Sequence, residues 1–345
     1  MSAFEKVLSE KDYDIIHVFG TELLHTHEMA SLMDKQKTVI SIQGLIYAYA
    51  DLFFTGIPHN YIKKSPVKTL INRIHTADFL RLGQEGFYKV GESEKQFIKS
   101  AKYIIGRTEW DRACIEKLNP EVTYYNCFEI LRDEFYAKDR WNEERCEKHS
   151  VFISQGDYPI KGLHLALKAF SDLKKIYPDL KVYLAGEKHV SHTSPLKRAV
   201  SGYLYEYNGY IEKLIRKYDL ADNIVHLGKL SAEQMKQQYL NANVYVLPSL
   251  IENSSNSLGE AMMLGVPCVA SNVGGMSDML VDKSEGYLYP LNETYMLEHY
   301  IKKVFDGKMP KEMLDRAAAH AARTHNRKKN TEQLIKIYND IASHK

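Results

Sequence analysis

Residues 248–275, PSLIENSSNSLGEAMMLGVPCVASNVGG, decide how the rest of the chain is read. Two glutamates, Glu252 and Glu260, stand at the two ends of a run of small polar residues. A helical apolar pattern follows, then Gly265-Val266-Pro267, a short apolar run and Gly274-Gly275. VYVLPS (244–249) before the loop and PCVAS (267–271) after the helix read as strands. Strand, loop, helix, strand in this order is a crossover unit of a parallel sheet.

The same alternation extends in both directions. VFISQG (151–156), KVYLAGE (181–187), NIVHLGKL (223–230) and EGYLYP (285–290) read as further strands. KGLHLALKAFSDLKKIYP (161–178), GYIEKLIRKYDL (209–220) and SAEQMKQQYLNA (231–242) have helical spacing, and GMSDMLVD reads as a short helix. Ser231 with Gln234 three residues on is a capping-box pattern. In the first half, YDIIHVFG (13–20), TVISIQG (38–44), AKYIIGRT (101–108) and VTYYNC (122–127) read as strands. The expected class is α/β, with doubly wound parallel sheets. The charged stretch AKDRWNEERCEKHS (137–150) lacks apolar periodicity and marks the expected boundary. The expected organisation is an N-terminal domain (1–148), a second domain (149–325) and a final helix (326–345) returning to the first.

Composition narrows the function classes. A chain of 345 residues can hold two ordinary domains, and 44% apolar with 26% charged residues are globular values. A net charge of +2, with no strong basic stripe, argues against a nucleic-acid partner. The four cysteines, Cys114, Cys127, Cys146 and Cys268, show no C-x-x-C spacing, so a zinc site or disulfide framework is not expected. No apolar run reaches 18 residues, and MSAFEKVLSEKDYD is too charged for a signal peptide. A cytoplasmic protein, with peripheral contact at the inner membrane face, is the expectation.

In a doubly wound sheet, ligands sit beyond the carboxyl ends of the strands. The loop 252–259 lies at such an end and opens a helix. Unpaired N–H groups at a helix start attract anions. Glu260, one turn inside, would repel a phosphate, but a carboxylate suits vicinal hydroxyls such as those of ribose. Glu252 can accept from hydroxyls of a second ring. Two hydroxylated rings joined by a diphosphate make a nucleotide sugar. Taken alone, the pair also fits a loop acid and a first-turn acid favoured by the helix dipole.

The full order P-S-x-x-E-x7-E-A-x-x-x-G-x-P-x-x-A-S-x-x-G-G resembles the hallmark of retaining glycosyltransferases of family 4, which have the GT-B fold. Pro248, Ser249, Glu252, Glu260, Ala261, Gly265, Pro267, Ala270, Ser271, Gly274 and Gly275 carry the match. The resemblance implies two Rossmann-like domains with a cleft between them. It implies that Glu260 holds the ribose and Glu252 the transferred sugar, while Asn253, Ser254, Ser255, Asn256 and Ser257 hold sugar and diphosphate. YPIKGLHLALKAF places Lys161 and Gly162 at the family's diphosphate loop, KVYLAGE matches at Gly186, and NIVHLGKL places Gly228 and Leu230 beside the base pocket. The implied catalytic residues are Lys161, Glu252 and Gln43. The implied partners are a UDP- or GDP-sugar donor and a saccharide or lipid-linked acceptor, with no cofactor and no metal.

The sequence also departs from the family. The usual arginine before the lysine is missing, since Gly156 is followed by Asp157. Asp278 replaces the usual glutamate after Gly-Gly, and Gln43 stands where many members carry histidine. Gln43 can hydrogen-bond but cannot act as a base. Arg107 and Glu22 are the acceptor-side candidates, and Arg107 is also a candidate for the diphosphate. A full family member would start roughly 60 to 80 residues before IIHVFG, at the length of βα units. The N-terminal domain is therefore expected to lack its first strands and to expose a sheet edge near IIHVFG, which a partner chain could complete.

Rival readings are an epimerase, which lacks the Glu-x7-Glu loop, a phosphorylase, which needs a cofactor-lysine motif not found here, and a non-catalytic or partner-dependent subunit. Asp12-Tyr13-Asp14 has a D-x-D look but opens a strand away from the ligand edge. His25, His27, His189 and His192 are expected as surface histidines and His17 as a satisfied core histidine. The segment 55–102 holds nine lysines and arginines against four acids, with Tyr61, Phe79, Phe87 and Tyr88. It is the candidate for contact with an anionic membrane, against the alternative of a solvated helical face.

Overall fold

The computed structural model describes residues 3–28, 32–58, 83–186 and 206–343. Its ten strands are β1 (Ile16–Phe19), β2 (Thr38–Ser41), β3 (Tyr103–Gly106), β4 (Thr123–Asn126), β5 (Glu147–Ile153), β6 (Lys181–Ala185), β7 (Ile224–Gly228), β8 (Ala242–Leu247), β9 (Cys268–Ser271) and β10 (Tyr287–Tyr289). Each falls on a strand expected from sequence. They form two parallel sheets, one of order β1-β2-β3-β4 and one of order β10-β9-β8-β5-β6-β7.

The helices of the first half are α1 (Ala3–Glu10), α2 (Leu24–Glu28), α3 (Ile46–Tyr49), α4 (Gly83–Ser100) and α5 (Glu109–Leu118). Those of the second half are α6 (Leu163–Ile176), α7 (Glu206–Lys217), α8 (Ala232–Asn241), α9 (Asn256–Met263), α10 (Met276–Met279), α11 (Thr294–Phe305), α12 (Lys311–Thr324) and α13 (Arg327–Ser343). α6 starts two residues later than its apolar pattern suggests, because Pro159–Lys161 form a separate 3-10 turn. The Ser231–Gln234 capping box is present at α8.

The six-stranded sheet is buried on both faces. Val151, Ile153, Val182, Val244 and Val246 pack on one side against α6 and α11. Phe152, Tyr245, Leu247 and Ala270 pack on the other against α9 and α12. This is why its strands are near-continuous apolar runs rather than alternating ones. Helix α13 lays Ile337 and Ile341 on Val39, Tyr103 and Ile105 of the four-stranded sheet. β5 begins at Glu147, so the expected division at 148/149 falls inside a strand. Glu147 and Lys148 are exposed, and their polarity made the strand start look like a linker.

β1 lies at one end of its sheet order, where an open edge was expected. Phe19 on this strand is 67% exposed. No described helix is long and apolar enough to cross a membrane. Of the aromatic residues proposed for membrane contact, Phe87 is buried against Phe53 at a ring distance of 4.7 Å. Its spacing on α4 marks a core face instead. Tyr88 is exposed, and Tyr61 and Phe79 lie outside the described residues.

Candidate functional site

In the six-stranded sheet the chain runs β5, β6, β7 outward, then returns to place β8 beside β5. The direction of winding reverses between these two strands, and a crevice opens beyond their carboxyl ends. The loop after β5 carries Lys161, and the loop after β8 carries Glu252. The two loops are stitched by Leu250 N–H donating to Ile160 O at 2.7 Å. Gly162 sits at φ +67, and a Cβ there would lie 1.9 Å from Pro248 O. No other residue fits this crossing.

Lys161 Nζ donates to Glu252 Oε1 at 2.7 Å, and Ser249 Oγ donates to the same oxygen at 2.7 Å. Burial disfavours the Lys161 ammonium, but the adjacent Glu252 carboxylate outweighs it and holds the lysine above its ordinary range. The lysine is therefore charged. Its ammonium also lies 5.7 Å from the Tyr158 ring centre. An apolar cluster joins both halves next to the pair in sequence: Ile160 and Ile251 from the second half pack with Ile46, Phe53, Phe87 and Val90 from the first.

The remaining motif residues shape the loop. Gly274, at φ +52, and Gly275 would place Cβ atoms 2.0 Å from Glu252 O and 2.2 Å from Asn253 O. Ser271 Oγ donates to Ser249 O at 2.6 Å. Ser255 caps α9, its side chain accepting from Leu258 N–H. Ser257 Oγ is 2.8 Å from Tyr245 Oη, and Ser254 is half-buried. Asn253 Oδ1 accepts from Thr108 Oγ1 at 2.8 Å, and Asp278 Oδ2 accepts from Glu109 N–H at 2.6 Å. Both contacts tie the loop region to the start of α5. Among the described residues, the buried Asn253 Nδ2 and Asn256 Oδ1 have no hydrogen-bond partner, and Asn256 lines a cavity together with Glu260.

Glu260 is buried on the second turn of α9, which pushes its carboxyl up. Arg132 counters this with two hydrogen bonds of 2.8 Å each, from Nε to Oε1 and from Nη2 to Oε2. A cavity of about 250 Å³ is lined by Arg132, Lys161, Asn256, Ser257 and Glu260, with Leu247 and Met235 as its apolar wall. The structure thus brings Lys161 and Glu260 to one cavity, together with the first two residues of α9. Gly228 and Leu230, expected beside the base, do not line it. Gly228 ends β7 and Leu230 packs on the core. Arg132, Met235 and Leu247 were missed in sequence because they lie outside the motif and touch it only through the fold.

Across the crevice, Gln43 Nε2 donates to Glu129 Oε1 at 2.5 Å, and Asn256 Nδ2 donates to Glu129 Oε2 at 2.6 Å. Buried Arg107 lies 3.2 Å from Glu129 and donates to the carbonyls of Ile42 and Gln43. Burial works against the Glu129 charge, yet Arg107 and the two amides hold its carboxyl below the ordinary range. Gln43, Arg107 and Glu129 line a second cavity of about 310 Å³ that also includes His17 and Phe19. Arg107 therefore does not share the cavity of Lys161. Glu22 lines neither cavity, and burial raises its carboxyl.

The weaker sequence signals resolve structurally. Asp12 pairs with Lys37. His27 is not a surface residue: it is buried, with Nε2 2.6 Å from Thr21 O and Nδ1 2.9 Å from Ser93 Oγ. His17 bridges Tyr338 Oη and Ser41 Oγ. His189 and His192 lie outside the described residues. Among the described residues, no three His, Cys, Asp or Glu side chains cluster so as to hold a metal ion.

Comparison with known proteins places this geometry. The chain is 16% identical to sucrose-phosphate synthase from Thermosynechococcus elongatus over 99% of its own length and 77% of that chain, with a TM-score of 0.71. It is 13% identical to the Anabaena protein HepE, solved with UDP and glucose, over 94% of its own length and 99% of that chain, with a TM-score of 0.62. These likenesses show the fold, the two-sheet GT-B arrangement. In sequence, it is 24% identical to D-inositol 3-phosphate glycosyltransferase from Paenarthrobacter aurescens over 53% of this chain and 42% of that protein. The chain spans less than half the length of the curated relatives it matches. The family of glycosyl transferases group 1 matches residues 136–325, more than half of the chain, and takes in the Lys161 loop, Glu252 and Glu260. With its fold, its motif and more than half its length in agreement, the chain belongs to the glycosyl transferases group 1 family.

Proposed function

We propose that the chain transfers a hexosyl group from a nucleotide-diphosphate sugar to a saccharide or lipid-linked saccharide, with retention at the anomeric carbon and without a metal. The observation that carries this reading is the shared cavity of Lys161 and Glu260, which Asn256 and Ser257 also line. In this reading the nucleoside lies at the Glu260 end and the diphosphate at the Lys161 end. Glu252, paired with Lys161, is positioned to accept from hydroxyls of the transferred sugar.

In this reading the departing diphosphate gains charge as the glycosidic bond breaks. Lys161 and the N–H groups opening α9 stabilise that charge, an effect made large by their burial. The acceptor hydroxyl attacks from the same face and passes its proton to the leaving phosphate oxygen. Gln43 orients hydroxyls from the opposite side. Arg107 and Glu22 belong to the acceptor side. UDP bound to the Anabaena protein supports a nucleotide donor by analogy of fold. Peripheral contact with the inner membrane face fits a lipid-linked acceptor.

Titration of UDP and GDP against wild type and Glu260→Ala tests the donor assignment. Loss of affinity in the variant supports it, and equal affinity sinks it. Incubation with labelled UDP- and GDP-sugars, followed by assignment of the product anomer, tests retention. Among the described residues β1 ends its sheet order, which favours a second reading, a subunit that binds nucleotide sugar and works with a partner chain completing that sheet. Nucleotide binding without transfer by the isolated chain would select it.

A further inference from the structure

The segment joining β4 to β5 touches α9 at two points. Glu129 holds Asn256, and three residues later Arg132 holds Glu260. Asn256 and Glu260 are four residues apart, so they share a face of α9. The spacing on the connector matches one turn of the helix it grips. Arg132 is itself constrained: its guanidinium lies 5.0 Å from the ring centre of Phe135, which is fully buried. Its fork meets both carboxylate oxygens at 2.8 Å.

A carboxylate has about four acceptor sites, and this bidentate contact occupies one on each oxygen. The Tyr239 hydroxyl also reaches this carboxylate, and acceptor capacity beyond these two partners is left for hydroxyls of a ligand. Resting on the nucleotide-sugar reading above, we infer that Arg132 is the positioning residue of the nucleoside end: it fixes the orientation and charge of Glu260 so that the remaining acceptors meet a ribose 2′,3′-diol. Without the fork, Glu260 would be buried and held by Tyr239 alone, and would discriminate poorly. The preference for ribonucleotides over 2′,3′-dideoxynucleotides then depends on Arg132, a residue that need not touch the diol itself.

The test is calorimetric titration of UDP and GDP, each beside its 2′,3′-dideoxy analogue, against wild type, Arg132→Gln and Arg132→Lys. Wild type should prefer the ribonucleotide by about tenfold or more, since a site built for a hydroxyl rejects the analogue lacking it. In Arg132→Gln that ratio should collapse towards one, mainly through weaker ribonucleotide binding. Arg132→Lys, which keeps the charge but loses the fork, should fall between and covers the case in which the glutamine variant does not fold. An unchanged ratio in either folded variant overturns the inference, as does tighter ribonucleotide binding, which would mean that Arg132 competes with the diol. A wild type that binds no nucleotide, or binds both forms equally, overturns the site reading itself. That failure appears in the wild-type arm and is distinct from failure of the variants alone.

Discussion

Lys161 and Glu252 form a largely buried ion pair of 2.7 Å, and their chain neighbours Ile160 and Ile251 belong to the apolar cluster that joins the two halves. The pair holds a charged lysine where a leaving diphosphate is proposed to sit. It also keeps a second charge, the glutamate, from standing alone when no ligand is present.

Lys161→Met should therefore act on two properties. Turnover should fall by roughly 10²–10³, the cost of losing one charge-stabilising group. Stability should fall by about 3 kcal/mol, because Glu252 is left poorly solvated and unpaired. The double variant Lys161→Met/Glu252→Gln should regain most of the stability and none of the turnover. Denaturant unfolding and initial rates, measured on the same preparations, separate the two effects. Recovery of turnover in the double variant would remove Lys161 from the chemistry.

Gly274→Ala should disturb the loop from behind. The alanine Cβ would meet Glu252 O at 2.0 Å, at a φ of +52 that L residues rarely adopt. A loss of about 1–3 kcal/mol is expected, with weakened nucleotide binding because the backbone of Glu252 must move. Gly228→Ala is the control. Its φ is +72, but a Cβ there meets nothing within 4 Å. It should lose stability by a smaller amount and leave nucleotide affinity unchanged. Thermal unfolding and calorimetry distinguish the two.

Glu94 gives a pH dependence with a defined sign. It is fully buried, accepts from Thr21 Oγ1 and from Tyr47 N–H, and burial pushes its carboxyl up to about 7 despite those donors. Nearby Glu22 pushes in the same direction. In the unfolded chain a glutamate titrates near 4.3. The folded state therefore binds the extra proton between these values. Its stability contribution is complete below about pH 4 and is lost as pH rises through 7, at about 1.4 kcal/mol for each unit of pKa difference. Glu94→Gln, which mimics the protonated form, should flatten this fall. Urea midpoints at pH 5, 6, 7 and 8 provide the comparison; parallel curves for both proteins would contradict the assignment.

Much of this site was legible before the fold was known, for a physical reason. The motif residues are local to one crossover, so their constraints are local too. Gly162, Gly274 and Gly275 are glycines because backbone passes within about 2 Å of where a Cβ would be. Ser255 is a serine because it caps α9. Such needs leave fixed spacings in the sequence. Arg132, Glu129 and Met235 could not be read this way. Each reaches the site from an element whose own pattern reports only strand, turn or helix, and only the return of β8 to the side of β5 brings them together. Phe87 failed in the opposite sense: its basic neighbours suggested a surface, while its helical register points it at Phe53.

Glu129 offers the last prediction. Its carboxylate is the common acceptor of Gln43, Asn256 and the buried Arg107, one residue holding both halves and the start of α9. Glu129→Ala leaves the Arg107 guanidinium with neutral acceptors, the carbonyls of Ile42 and Gln43 and the Gln43 side-chain oxygen, in place of its ion-pair carboxylate, so a loss of about 3–5 kcal/mol is expected from breaking a buried charge pair. Glu129→Gln keeps the shape and one acceptor, and should cost less. Adding Arg107→Met to Glu129→Ala should return part of the loss, because the charge that made the cavity costly is gone. The order of stabilities in urea, wild type above Glu129→Gln above the double variant above Glu129→Ala, checks the argument. If the double variant is the least stable of the four, the Arg107 charge is not what Glu129 serves, and its hydrogen bonds to Gln43 and Asn256 carry the stability instead.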